Sequence, residues 1–141
     1  MVPSRDLIIA AEKEYEKIRA VAEKQKKLAA DDNPLLKKLK NILAKIQPHA
    51  TLWNSEAVQW DWEVILIEDK QLNAFCMPGG KIAFFSGIVE ELELNDDEIA
   101  MIMGHEMAHA LREHARARIA LAQLTDLGAE ILSATLGLGK S

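Results

Sequence analysis

Residues 95–112 read NDDEIAMIMGHEMAHALR, and the rest of the chain takes its meaning from what this stretch folds into. The stretch predicts a helix with a marked start. Asn95 is an N-cap residue type, and Glu98, three positions on, completes the spacing of a capping box. Asp96 and Asp97 place negative charge in the first turn, where the helix dipole favours it. No proline interrupts the run to about Arg118, and its one glycine is Gly104. On a helical wheel Ile99, Met103, Met107, Ala110 and Leu111 form a broad apolar arc. His105, His109, Arg112 and Arg116 fall on the opposite side, with Glu106 and Glu113 at its edge. Gly104 costs about 1 kcal/mol relative to alanine inside a helix. Close approach by another backbone is the expected reason for it, against simple tolerance.

The two histidines define a candidate site. Four residues advance a helix by about 400°, so His105 and His109 point the same way, about 6 Å apart along the axis. Two imidazole nitrogens at that spacing can reach one zinc ion at about 2.0–2.1 Å each. Glu106, about 100° round from His105, can reach water held by that ion without ligating the ion itself. His-Glu-x-x-His on a helix is therefore a zinc site with its own base. The competing reading is a surface helix whose two histidines and one glutamate merely face solvent. The charged company of the pair, a face suited to line a cleft, weighs against that reading.

Composition bounds the rest. The 141 residues have room for one domain, and 49% hydrophobic with 28% charged residues describes a globular chain rather than a disordered one. The net charge of −5 and the lack of a basic patch interleaved with aromatics exclude nucleic acid as an expected partner. A single cysteine, Cys76, rules out an intrachain disulfide and a cysteine-based zinc finger. There is no apolar run of membrane-spanning length, and Met1 to Asp6 lacks the apolar core of a secretion signal.

Residues 4 to about 29 predict a charge-rich helix, with Leu7, Ala11, Ile18 and Val21 at helical spacing. Asp31-Asp32-Asn33-Pro34 ends it and opens a second helix with Pro34 in the first position. Leu35, Leu36, Leu39, Ile42, Leu43 and Ile46 give that helix an apolar face until Pro48. Both read as packing scaffold. Residues 49–60 read as irregular, with Trp53, Trp60 and Trp62 near one another as core or rim packing. Trp62 to Glu68 is apolar on both faces and predicts an interior strand, and Lys81 to Phe85 a second strand. The segment from Asn73 to Gly80 between them ends in strong turn chemistry, Pro78-Gly79-Gly80. A short helix is expected from about Gly87 to Leu92, and helix-prone sequence from Ile119 to Leu136. Ala134 to Ser141, ATLGLGKS, nearly matches a phosphate loop, but alanine holds the first position and the required strand and helix are missing. Cys76 reads as an inert, part-buried thiol.

The segment Asn73-Ala-Phe-x-x-Pro-Gly-Gly-Lys-Ile82, a Ser-Gly helix start, and Asp97-Glu98 followed by Gly104-His-Glu-x-x-His109 together resemble the HtpX-like and CAAX-prenyl-protease-type zinc metallopeptidases, peptidase family M48. The likeness is strongest to the soluble branch of the bacterial envelope, and it runs from about residue 60 to 118. The resemblance implies an α+β, zincin-type (gluzincin) fold within a single domain over 1–141. Residues 1–48 would be the helical scaffold, 60–118 the sheet and zinc-site core, and 119–141 a helical C-terminal segment. It implies a zinc-dependent endopeptidase that hydrolyses unfolded or damaged polypeptides in the periplasm or cell envelope. His105 and His109 would be zinc ligands and Glu106 the catalytic residue. A substrate strand would lie along a sheet edge, which the family match gives to Lys81–Phe85, flanked by the loop from Asn73 to Gly80. Asn73, Ala74, Phe75, Gly79, Gly80, Lys81, Ile82 and Ala83 are thus the expected substrate-binding residues. The chain departs from the family at the third zinc ligand, a glutamate on a later helix in an E-x-E-A-D-like context. Glu113 is badly placed for the same metal, and the surroundings of Glu130 do not match that motif. The expected ligand therefore lies beyond Ser141, with part of the catalytic domain missing. The alternative function is a metallopeptidase-like module that binds polypeptide without turnover.

Overall fold

A computed structural model of the chain describes residues 4–52, 55–114, 126 and 129–131. Helix α1 (Ser4–Lys24) comes first, then α2 (Pro34–Ile46). Two 3-10 turns, Gln47–Leu52 and Ser55–Gln59, lead to strands β1 (Glu63–Ile67), β2 (Ala74–Met77) and β3 (Lys81–Phe85), and helices α3 (Ser86–Glu91) and α4 (Asp96–His114) follow. The fold is α+β. Trp53, Arg116, the near-phosphate loop and most of the expected C-terminal helix lie outside the described residues.

The three strands form one sheet in the order β1-β3-β2, with β3 parallel to β1 and antiparallel to β2. Alternation along the strands sorts side chains into two cores. Ile65, Ile67, Phe75, Met77, Ala83 and Phe85 face α1, which meets them with Leu7, Ala11, Tyr15, Ile18 and Ala22, all fully buried. Val64, Leu66, Cys76, Ile82 and Phe84 face the other way, under α2 and α4. The sheet is thus the middle of three layers, and strands buried on both faces explain the unbroken apolar runs.

Local chemistry sets the element boundaries. Asn33 caps α2, its Oδ1 accepting from the Leu35 and Leu36 N–H groups at 2.9 and 3.1 Å. Helix α1 stops at Lys24, short of the expected end near residue 29. Residues 27–29 instead pair with β1: Ala29 N–H donates to Leu66 O at 3.0 Å, and Leu28 forms a bridge with Ile67. Tertiary pairing overrides helical propensity there. The turn at Met77-Pro78-Gly79-Gly80 is closed by Gly80 N–H donating to Met77 O at 3.0 Å. Both glycines hold φ of +98°, and Gly80 lies so near Trp62 that a Cβ would stand 3.0 Å from its ring.

Two expectations change. The segment from Asn73 to Gly80 is not a loop, because its first half is strand β2. Lys81–Phe85 is not an edge strand: β3 is central, hydrogen-bonded on both sides, and β2 forms the edge. A tight Pro-Gly-Gly turn folds β2 back along β3, while β1 occupies the other side.

Candidate active site

Helix α4 begins as its sequence predicts. Asn95 N–H donates to Glu98 Oε1 and Glu98 N–H to Asn95 Oδ1, each at 2.9 Å, a complete capping box. Ile99, Met103, Met107, Ala110 and Leu111 are all buried, and through them α4 packs against β2 and α2. That anchoring fixes the opposite face. His105, His109 and Arg112 are exposed there, with Glu106 half-buried at the border. Burial lifts the Glu106 carboxyl above the ordinary carboxylate range, and the His105 and His109 imidazoles pull it back down. All three side chains of the motif therefore share one electrostatic neighbourhood. The Gly104 expectation fails: among the described residues nothing lies within 4 Å of where its Cβ would stand.

Strand β2 brings the sheet to this helix. Phe85 N–H donates to Asn73 O at 3.0 Å, which fixes the ladder's phase. In an antiparallel pair, alternate residues turn both backbone groups the same way. Phe75 and Met77 thus bond to β3, and Ala74 and Cys76 point their N–H and C=O groups out of the sheet. Among the described residues no strand pairs with that edge. The Cys76 side chain turns the other way from Phe75 and Met77, into the core beneath α4. Burial pushes the Cys76 thiol up, and the Glu106 carboxylate adds to this. The buried thiol therefore feels the charge of Glu106. The sequence reading missed strand β2, although the Pro-Gly-Gly turn already implied a hairpin and so a strand before it.

The expected substrate-binding residues separate. Asn73 and Ala74 sit half-buried at the open edge. The Phe75 backbone serves the ladder, and its ring packs on Phe85 with centroids 6.5 Å apart. Gly79 and Gly80 are buried in the turn. Lys81 is 8% exposed and faces the α1 side, its Nζ donating to Asp61 O at 2.9 Å and Oδ2 at 3.0 Å, with Glu63 Oε1 at 3.6 Å. Ile82 and Ala83 are fully buried, on opposite faces of the central strand. Lys81, Ile82 and Ala83 thus belong to a central strand and present no backbone edge to a substrate.

The two imidazoles fit a zinc site in type and spacing. Among the described residues no group of three His, Cys, Asp or Glu side chains is arranged to hold a metal. Glu130 is exposed, and its neighbour Ile131 packs with the α1-side core, away from α4.

The sequence profile of peptidase family M48 matches residues 37–140, about three quarters of the chain. The chain belongs to peptidase family M48. It is 32% identical over 119 residues to the mitochondrial metalloendopeptidase OMA1 of Saccharomyces cerevisiae, an overlap of 80% of this chain and 34% of that protein. It is 38% identical over 66 residues to the OMA1 of Arabidopsis thaliana, covering 47% of this chain and 13% of the relative. Against the putative beta-barrel assembly-enhancing protease of Vibrio cholerae it is 30% identical over 66 residues, 47% and 13% of the two chains. The chain thus spans about a third or less of the curated relatives it matches. Among its described residues this M48 chain has no helix long and apolar enough to cross a membrane.

Proposed function

We propose that this chain is the metal-binding and substrate-strand part of a zinc-dependent endopeptidase of gluzincin type, acting on unfolded or damaged polypeptides. One observation carries the proposal: exposed His105 and His109 on one face of α4, with half-buried Glu106 beside them, next to a sheet whose β2 edge is unpaired among the described residues. His105 and His109 would hold the zinc, with a third ligand from outside the described residues, since a catalytic site takes three. The chemistry a bound zinc supplies is Lewis acidity, which makes water a nucleophile near neutral pH and polarises a carbonyl.

The chain's own residues do the rest. Ala74 and Cys76 offer outward backbone N–H and C=O groups, so an extended substrate adds as a strand along β2. Main-chain pairing of this kind accepts many sequences, which suits unfolded chains. The Glu106 carboxylate takes a proton from the attacking water and passes it to the leaving amine nitrogen. Its half-buried place raises its affinity for that proton over an exposed carboxylate. The proposed location is the bacterial periplasm or envelope, supported by the relatives named beta-barrel assembly-enhancing proteases.

Glu106→Gln tests the assignment. The expected variant binds zinc as the parent does, measured by elemental analysis, and no longer cleaves casein. Undiminished cleavage would sink the proposal. The second reading, polypeptide binding without turnover, is favoured by the lack of a third ligand among the described residues. It predicts casein binding with no chelator-sensitive digestion by the parent chain.

A further inference from the structure

Across the sheet from β2, the outer edge of β1 is only half covered. Its C-terminal half pairs with residues 27–29 through Ala29 N–H to Leu66 O at 3.0 Å and Glu68 N–H to Lys27 O at 2.6 Å. The chain then turns away to begin α2. Leu66 and Glu68 therefore point outward, and Val64 shares their phase in the strand. Among the described residues neither Val64 N–H nor its C=O has a backbone partner. Both open into a groove of about 760 Å³ between α1 and α2, within the size range of built ligand sites. Leu36, Leu43 and Trp62 supply its apolar surface, and Arg19, Glu23, Asp31, Lys40 and Glu63 its charges.

Tyr15 and Lys81 already hold Glu63, and the other two basic and two acidic groups balance, so the lining exerts little net pull on an anion or a cation. The distinctive features are an unpaired backbone donor and acceptor beside apolar side chains, in line with a segment that already pairs there. A β-strand satisfies all of these at once. We infer that the groove is a second docking site, which takes an extended segment of unfolded polypeptide with apolar side chains at alternate positions. The segment continues the pairing that residues 27–29 begin. This goes beyond the endopeptidase reading and does not depend on turnover at α4. A chain held at β1 is also concentrated at the β2 edge, two strands away.

Amide hydrogen exchange, read by NMR on the full chain carrying Glu106→Gln, tests the inference, with reduced and carboxymethylated α-lactalbumin as the unfolded probe. Saturating probe is expected to slow exchange at Val64 by about tenfold or more, equivalent to about 1.4 kcal/mol. Ala44 is exposed on α2 and lines the groove. Ala44→Trp fills the groove and is expected to abolish the Val64 protection while leaving that of Ala74 and Cys76 unchanged. Ala30→Trp, also at an exposed lining position, does the same with a second folded variant. Protection at Ala74 and Cys76 alone, or at no edge residue, overturns the docking site. Protection at Val64 in a chain whose Glu106 parent never cleaves casein upholds the groove and removes the endopeptidase reading.

Discussion

At the residue scale, two glycines in helices make opposite demands. A Cβ on Gly87 would stand 2.2 Å from Lys70 O and 2.7 Å from Gln71 O. The start of α3 is pressed onto that loop, with Gly87 N–H donating to Asp69 O at 2.9 Å and Ser86 Oγ accepting from Asp69 N–H at 3.1 Å. Backbone atoms cannot yield as a side-chain tip can, so Gly87→Ala is expected to lower unfolding free energy by about 1–3 kcal/mol. Gly104 has open space among the described residues, and Gly104→Ala is expected to raise stability by about 0.5–1 kcal/mol, since alanine suits a helix interior better. Urea unfolding of the two variants checks both signs. A destabilised Gly104→Ala would show that chain outside the described residues packs on that position. The contrast shows what single residues disclose. The placement of His105, Glu106 and His109 near one another on α4 was legible because helix geometry alone brings the three together. The reason for Gly104 was not, because it depends on what lies opposite, and no local pattern reports that.

At the element scale, strand existence was partly legible and strand order was not. Apolar runs marked β1 and β3, and Asn95 with Glu98 marked the start of α4. β2 spans only four residues before its turn, too short for a periodic signal. Whether β2 or β3 is the edge depends on which side β1 chooses, a choice made through a parallel pairing far along the chain. The consequence for the proposed function is a change of the expected substrate strand from β3 to β2, and proline separates the two sides of β2. Ala74 turns its N–H outward, so Ala74→Pro keeps every ladder bond and removes one donor offered to substrate. Losing one such hydrogen bond, about 0.5–1.5 kcal/mol, predicts a drop in kcat/KM for an unfolded substrate of about twofold to tenfold, with the fold intact by circular dichroism. Phe75→Pro removes a ladder donor facing Ala83 and is expected to destabilise the chain instead. Equal folding defects in both variants would show that the outward phase of Ala74 is wrong.

At the scale of the whole molecule, the matched family span begins at residue 37, yet α1 forms one of the three layers. The apolar stripe of α1 was legible as scaffold; that it covers the sheet face opposite α4 was not, because a stripe does not name its partner. Polar bonds reinforce the attachment. Tyr15 OH donates to Glu63 Oε2 at 2.6 Å, and Glu63 stands in register with Lys81, which Asp61 also holds. Burial first, then the hydrogen bond to Glu63, pushes the Tyr15 hydroxyl far above its ordinary value of about 10. Below pH 10 the folded and unfolded chains both keep this proton. Above it the unfolded chain releases the proton and the folded chain does not, so the unfolded state binds fewer protons and stability falls as pH rises. Cys76, whose ordinary value is 9.0 and whose burial also raises it, adds a similar fall beginning one unit lower. Each such group contributes a limiting slope of about 1.4 kcal/mol per pH unit. Tyr15→Phe should therefore be less stable than the parent at pH 7 by about 1–2 kcal/mol, through the lost bond to Glu63. It should also lose stability more slowly than the parent above pH 10, so that the two curves converge in alkali, while the Cys76 contribution remains in both. Chemical unfolding at pH steps from 7 to about 11 measures both slopes. Parallel curves throughout that range would mean that Tyr15 releases its proton in the folded chain as readily as in the unfolded one, and that α1 is held to the sheet by its apolar stripe alone.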